Sequence, residues 1–282
     1  MSRRGRSGGG AAGARAALAA VLASTALLTG CAQSVDPIER LGRRAAEEVR
    51  PPRPHAERAY RRWGLAAPLA APPSHPARPR PGRAAADTAL PRVVDRVPTA
   101  DRVVFLTYDD GAERDPRFAD MVRELGLPVS FFLTGSAAGP GHGRFARLRA
   151  AGAGLQNRTL HHPALPALPY SGQRAEICGQ QDRLRSRLGA RPRLLRPPHG
   201  AYDGTTLRAA ADCALSALVL HRATLTGAGL TYTRGPRHLC PGDVVLVDPG
   251  GPAAPGPRAR TIRLLRMLQR AGLTVARLED YL

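Results

Sequence analysis

Lysine is absent from this 282-residue chain; all 42 of its basic residues are Arg, and against 22 acidic residues they leave a formal net charge of +20. An Arg-only chain rich in Ala, Pro and Gly is what GC-rich coding produces, so the charge by itself names no partner. It does provide a long-range attraction to polyanions such as phosphate-rich wall polymers or anionic lipid headgroups. Aromatic residues make up only 4% of the chain, with a single Trp, which argues against a surface built on aromatic stacking. No helix-turn-helix, finger or RNA-binding signature occurs, so nucleic acid is not an expected partner. No Gly-rich phosphate loop follows the first strand-like segment, which disfavours a nucleotide or dinucleotide fold. The four Cys lack zinc-ribbon spacing.

What is present begins with a leader. Arg3, Arg4, Arg6 and Arg15 precede an apolar run from Ala16 to Leu28. That run is too short to span a bilayer permanently and has the form of a signal sequence. It ends in Leu28-Thr29-Gly30-Cys31, which resembles a bacterial lipobox and predicts lipidation at Cys31. The expected location is therefore outside the cytoplasm, held to the membrane by a lipid anchor. Residues 1–30 read as the signal peptide and 31–99 as a Pro/Arg/Ala-rich tether. Within that tether a short helix is expected over 38–49 and extended chain around Pro51–Pro54 and Pro76–Pro81.

From residue 100 onward apolar runs and helical patterns alternate. Strands are expected at 102–107, 128–133, 154–157, 194–196, 216–220, 244–247 and 273–277, about seven in all. Helices are expected at 116–125, with Asp115 as N-cap and Pro116 at N1, and at 144–151, 172–188, 205–213 and around 262–271. Such alternation predicts a parallel α/β fold, a barrel or a doubly wound sheet. Polar clusters fall at the C-terminal ends of the strands, where parallel barrels collect their chemistry.

Four segments carry those clusters: Thr107-Tyr108-Asp109-Asp110-Gly111, Asn157-Arg158-Thr159-Leu160-His161-His162-Pro163, Arg196-Pro197-Pro198-His199-Gly200 and Gly242-Asp243-Val244-Val245-Leu246-Val247-Asp248. Adjacent carboxylates can divide the holding of a cation and the abstraction of a proton, although Asp-Asp-Gly is also ordinary turn chemistry. In this order the segments resemble the motifs of the polysaccharide deacetylase (NodB-homology) family, carbohydrate esterase family four, over residues 100–282. The resemblance implies a distorted (β/α)7 barrel that uses a divalent metal, zinc, to remove acetyl groups from N-acetylated sugars of chitin, peptidoglycan or related polymers. It implies that Asp109 is the catalytic base, Asp110 and His162 metal ligands, and Arg196 the residue that orients the base. Pro198, His199 and Gly200 match the turn that supports the substrate oxyanion.

Two positions depart from the family pattern. Arg158 stands where the first metal His belongs, and a guanidinium has no lone pair to donate. It is expected to pair with both Asp110 and Asp109 in place of a metal. Asp248 stands where the general-acid His belongs, in the expected company of Arg158 and Arg196. The Asp–Trp segment is missing too, and 218–226 offers neither residue in register. His161 and His199 are candidate substitutes for the lost ligand and the lost acid. The implied function is a deacetylase-like protein that acts on or binds N-acetylated wall glycan, with the standard chemistry impaired; the alternative is a non-catalytic wall-binding or scaffold lipoprotein. Of the remaining Cys, Cys178 and Cys213 in successive helices are the favoured disulfide, with Cys213 and Cys240 as the alternative.

Overall fold

The structure is a computed structural model that describes residues 54–74, 90–139, 141–250 and 256–282. The leader, Cys31 and the helix expected over 38–49 lie outside the described residues. The elements in chain order are α1 (Pro54–Arg62), β1 (Arg92–Val94), β2 (Val103–Asp109), α2 (Phe118–Leu125), β3 (Val129–Leu133), α3 (Gly135–Ala138), α4 (His142–Ala150) and β4 (Gly154–Asn157). They continue with α5 (Tyr170–Leu188), β5 (Leu194–Leu195), α6 (Gly204–Asp212), β6 (Ala217–Val219), β7 (Ala223–Leu225), β8 (Leu230–Tyr232), β9 (Val244–Val247), α7 (Pro257–Ala271) and β10 (Thr274–Val275).

Every residue of β2 is buried, so its alternation divides two apolar layers rather than core from solvent. Val104, Leu106 and Tyr108 join Phe118, Met121 and Leu264 in the layer under the helices. Val103 and Phe105 point the other way, into a second cluster with Phe132, Leu194, Val219 and Val244. Thr107 and Asp109 share the parity of Phe105, which puts a hydroxyl and a carboxylate at the strand's C-terminal end on the inner face.

The ten strands run β1-β6-β5-β4-β3-β2-β9-β7-β8, with β10 paired to the start of β2. Apart from the antiparallel β7–β8 pair, the ladders are parallel. The sheet curls into a half-barrel with helices outside, in agreement with the α/β barrel expected from the sequence. Seven of the strands coincide with the expected ones. The other three, β1, β7 and β8, are three residues each, too short and too polar to show a period.

Two expectations need correction. Asp115 does not cap α2: its carboxylate accepts the Arg117 backbone N–H at 3.0 Å, and the N-cap is Arg117, with no side-chain cap. Asp115-Pro116 thus makes a tight turn of its own before the helix begins. Part of the stretch read as tether also carries regular structure. Helix α1 leads into Trp63 and Leu65, which are buried in the outer core layer, and β1 pairs in parallel with β6. Trp63 donates from Nε1 to Glu124 at 2.8 Å, and the Arg117 guanidinium lies 5.5 Å from its ring centroid. An aromatic anchor outweighs the extended-chain bias of the surrounding Pro residues.

Replacing Trp63 by Ala removes that anchor and is expected to cost about 3 kcal/mol. Urea denaturation of the two proteins checks this, and an unchanged midpoint would show that the segment contributes nothing to the fold.

Candidate active site

Asp109 ends β2 and is almost fully buried. Its Oδ1 accepts Arg196 Nη1 at 3.0 Å, and its Oδ2 lies 2.9 Å from Arg158 Nη2. Arg196 follows β5 and is 3% exposed. It also donates to Thr107 Oγ1 at 2.8 Å and to the Val219 carbonyl at 3.3 Å, and it stacks 4.1 Å above the Phe132 ring. Its charge is therefore met by a carboxylate, a hydroxyl, a carbonyl and an aromatic face, which is how a buried guanidinium is tolerated. Burial pulls its pKa down while Asp109 pushes it back up.

Arg158 leaves β4, with its backbone N–H on the Leu133 carbonyl. The expectation that it pairs with both carboxylates holds for one of them. Among the described residues its ion pair within 4 Å is Asp109, and it acts on Asp110 through its field alone. Asp110 instead accepts the backbone N–H of Thr134, just after β3, shared between its two oxygens at 3.2 Å each. Burial outweighs that bond and the Arg158 field and raises Asp110 to about 6. Gly111 then turns the chain at φ 113, where a Cβ would sit 3.1 Å from Pro249, so the first and last motif loops touch only because this residue is Gly.

The loop after Arg158 is shaped by Asn157. Its Oδ1 accepts the Thr159 N–H at 2.8 Å, and its Nδ2 reaches the Ile177 carbonyl and Gln181. Thr159 and His162 adopt φ 70 and 63, and His199 across the cleft φ 58. Three side-chain-bearing residues in the left-handed region at one cleft are a local store of strain. His162 packs edge-on to His199 with 4.7 Å between ring centroids. Its Nε2 is buried without a partner, and burial, then Arg158 and His199, lower its pKa. His161 turns away, bonded to Glu176 at 2.7 Å and largely exposed. Pro198–Gly200 forms a tight turn closed by the Gly200 N–H on the Pro197 carbonyl.

Asp248 is not in the company expected of it. Its Oδ2 lies 2.9 Å from Nη1 of Arg260, a buried residue of α7, and that same nitrogen also bonds the Asp248 carbonyl. No sequence signal distinguished Arg260 from the many other Arg. Sequence reasoning also passed over His221, just beyond β6. Burial, then the Arg196 and Arg158 guanidiniums, drive it down to about 4, with Asp109 and Asp95 opposing. Its place after a buried apolar run was the one available clue.

Zinc does not fit this site. Asp110 and His162 offer two donors, but the third position is a guanidinium whose buried Nε has no partner and whose charge opposes a cation. Among the described residues no three His, Cys, Asp or Glu side chains converge as a ligand set.

On the outer face Cys178 of α5 and Cys213 are joined in a disulfide, and Cys240 remains a thiol.

The polysaccharide deacetylase family profile matches residues 96–218. An uncharacterized protein of Streptomyces coelicolor is 62% identical over 194 residues, covering 68% of this chain and 78% of its own length. A chitooligosaccharide deacetylase of Sinorhizobium fredii is 29% identical over 140 residues, 45% of this chain and 60% of that enzyme; the match therefore spans less than two thirds of the enzyme. Among solved structures, a carbohydrate esterase family four pseudoenzyme from Bacillus anthracis superposes with a TM-score of 0.56 at 18% identity, over 68% of this chain and 69% of that one. This last likeness is one of fold.

His221 and Asp110 give opposite pH dependences. Between about 4 and 6.5 the unfolded chain protonates His221 and the folded chain does not, so stability present above pH 6.5 is lost as the pH falls. Asp110, moved from 3.8 to about 6, takes its proton earlier when folded, so its contribution grows as the pH falls through that window. His221→Gln removes the first effect alone. The Tm of the variant relative to the natural protein should rise steadily as the pH is lowered through that window and stay level above pH 7. Scanning fluorimetry reads this directly, and a difference independent of pH would contradict the burial of His221 in the positive field of the site.

Proposed function

The chain belongs to the polysaccharide deacetylase family, and on that premise we propose that it recognises N-acetylated cell-wall glycan, such as peptidoglycan, with the family's metal-dependent hydrolysis impaired. The observation that carries this reading is the 2.9 Å contact of Arg158 with Asp109. A fixed positive charge stands beside Asp110 and His162, where it repels a cation. The same contact, with Arg196 on the other oxygen, engages both oxygens of the carboxylate that would have to take a proton from water. Asp248, at the general-acid position, is bound instead to Arg260.

In this reading Asp109 and Arg196 form the floor of a sugar-binding cleft, and Pro198, His199 and Gly200 form its wall. The glycan class rests on the relationship to the rhizobial chitooligosaccharide deacetylase. A position outside the cytoplasm, lipid-anchored through Cys31, rests on the leader and is supported by the disulfide, which needs an oxidising compartment.

Metal analysis of the purified full-length protein tests the proposal, together with acetate release from N-acetylglucosamine oligomers. Substoichiometric zinc and no acetate are expected. Arg158→His should bind about one zinc per chain, and Arg158→His with Asp248→His should also release acetate. Stoichiometric zinc in the natural protein, with acetate release abolished by Asp109→Asn, would overturn the reading.

A further inference from the structure

The opposite end of the barrel carries a second concavity. Arg191 and Arg193 precede β5, and Ala214 precedes β6, so these residues lie at the N-terminal ends of strands whose C-terminal ends hold the cleft. With one side of α5 and the end of α6 they enclose a cavity of about 820 Å3. The Cys178–Cys213 disulfide ties α5 to the end of α6 within its lining, and Ala214 turns the chain there at φ 58.

Four guanidiniums line this cavity, those of Arg174, Arg185, Arg191 and Arg193, against two carboxylates, Asp182 and Asp212. Both carboxylates are engaged: Asp182 pairs with Arg185 at 2.7 Å, and Asp212 accepts the Tyr170 hydroxyl. Arg193 donates to the main-chain oxygen of Leu282 at 3.2 Å. Arg174 and Arg191 have no carboxylate within 4 Å among the described residues, and both are exposed. A guanidinium is the side chain best shaped to hold phosphate oxygens in pairs. The positive groups stand on two walls, with the unpaired Arg174 on α5 and the unpaired Arg191 before β5, and Arg185, paired with Asp182, about 16 Å along α5 from Arg174 at the helical rise. That spread suits an anion whose charge recurs along a chain better than a single phosphate.

We propose that this disulfide-braced Arg groove is a binding site for a phosphate-bearing polymer of the cell envelope, separate from the glycan cleft. It would hold the domain against an anionic matrix while the cleft faces the other way.

The test uses the full chain and a linear inorganic polyphosphate of defined length, with affinity measured at about 150 mM salt. Arg174→Glu with Arg191→Glu should weaken binding at least roughly tenfold. Arg144→Glu with Arg147→Glu changes the net charge equally at another exposed pair on α4, and should change affinity less than about twofold. Circular dichroism melts confirm that both variants are folded. Equal weakening in the two variants would reduce the effect to overall charge and overturn the proposal, as would unchanged binding in the first. Neither result bears on acetate release or metal uptake at the cleft, so this proposal and the previous one fail independently.

Discussion

A single buried carboxylate held between two guanidiniums organises the functional end of this molecule. Asp109 reaches the inner face because β2 alternates strictly, and Arg196 and Arg158 arrive from the ends of β5 and β4 to meet one oxygen each. The pairing is mutual: without Asp109 the Arg196 charge would stand buried and uncompensated, a situation that costs about 3–5 kcal/mol. The two guanidiniums outnumber the carboxylate between them, so the centre carries an excess of positive charge.

The surrounding geometry follows from that centre. Asp110 meets the Thr134 backbone N–H, while Arg158 pairs with Asp109. His162 and His199 meet edge to face on two strained loops, and strain of this kind persists only where the structure around it is firm enough to impose it. That firmness comes from Asn157 on one side, with three side-chain hydrogen bonds, and from consecutive prolines on the other. The site is thus framed rigidly on both sides.

Much of the frame was legible in the residues. Val103–Leu106, Phe131–Leu133 and Val244–Val247 are unbroken apolar runs, as expected of strands covered on both faces. Gly126, Gly189 and Gly272 mark the ends of α2, α5 and α7 in left-handed caps, where a side chain is disfavoured. The illegible elements are those whose existence depends on a distant partner. β1 is Arg-Val-Val in a Pro- and Arg-rich stretch and becomes a strand because β6 offers a free edge. α1 docks because Trp63 finds Glu124 and Arg117, 61 and 54 positions along the sequence.

By itself the sequence determined the chemical identity of each site position: an Arg at 158 among carboxylates and imidazoles, and an Asp at 248 after the last buried strand run. Those are properties of side chains and hold in any fold. Which oxygen each guanidinium takes was decided only in three dimensions. So were the diversion of Asp248 to Arg260, the exclusion of His161 and the entry of His221 into the field of Arg196. Each of these is a competition among charged groups separated by tens of residues. Its outcome depends on distance and burial, and local sequence pattern encodes neither.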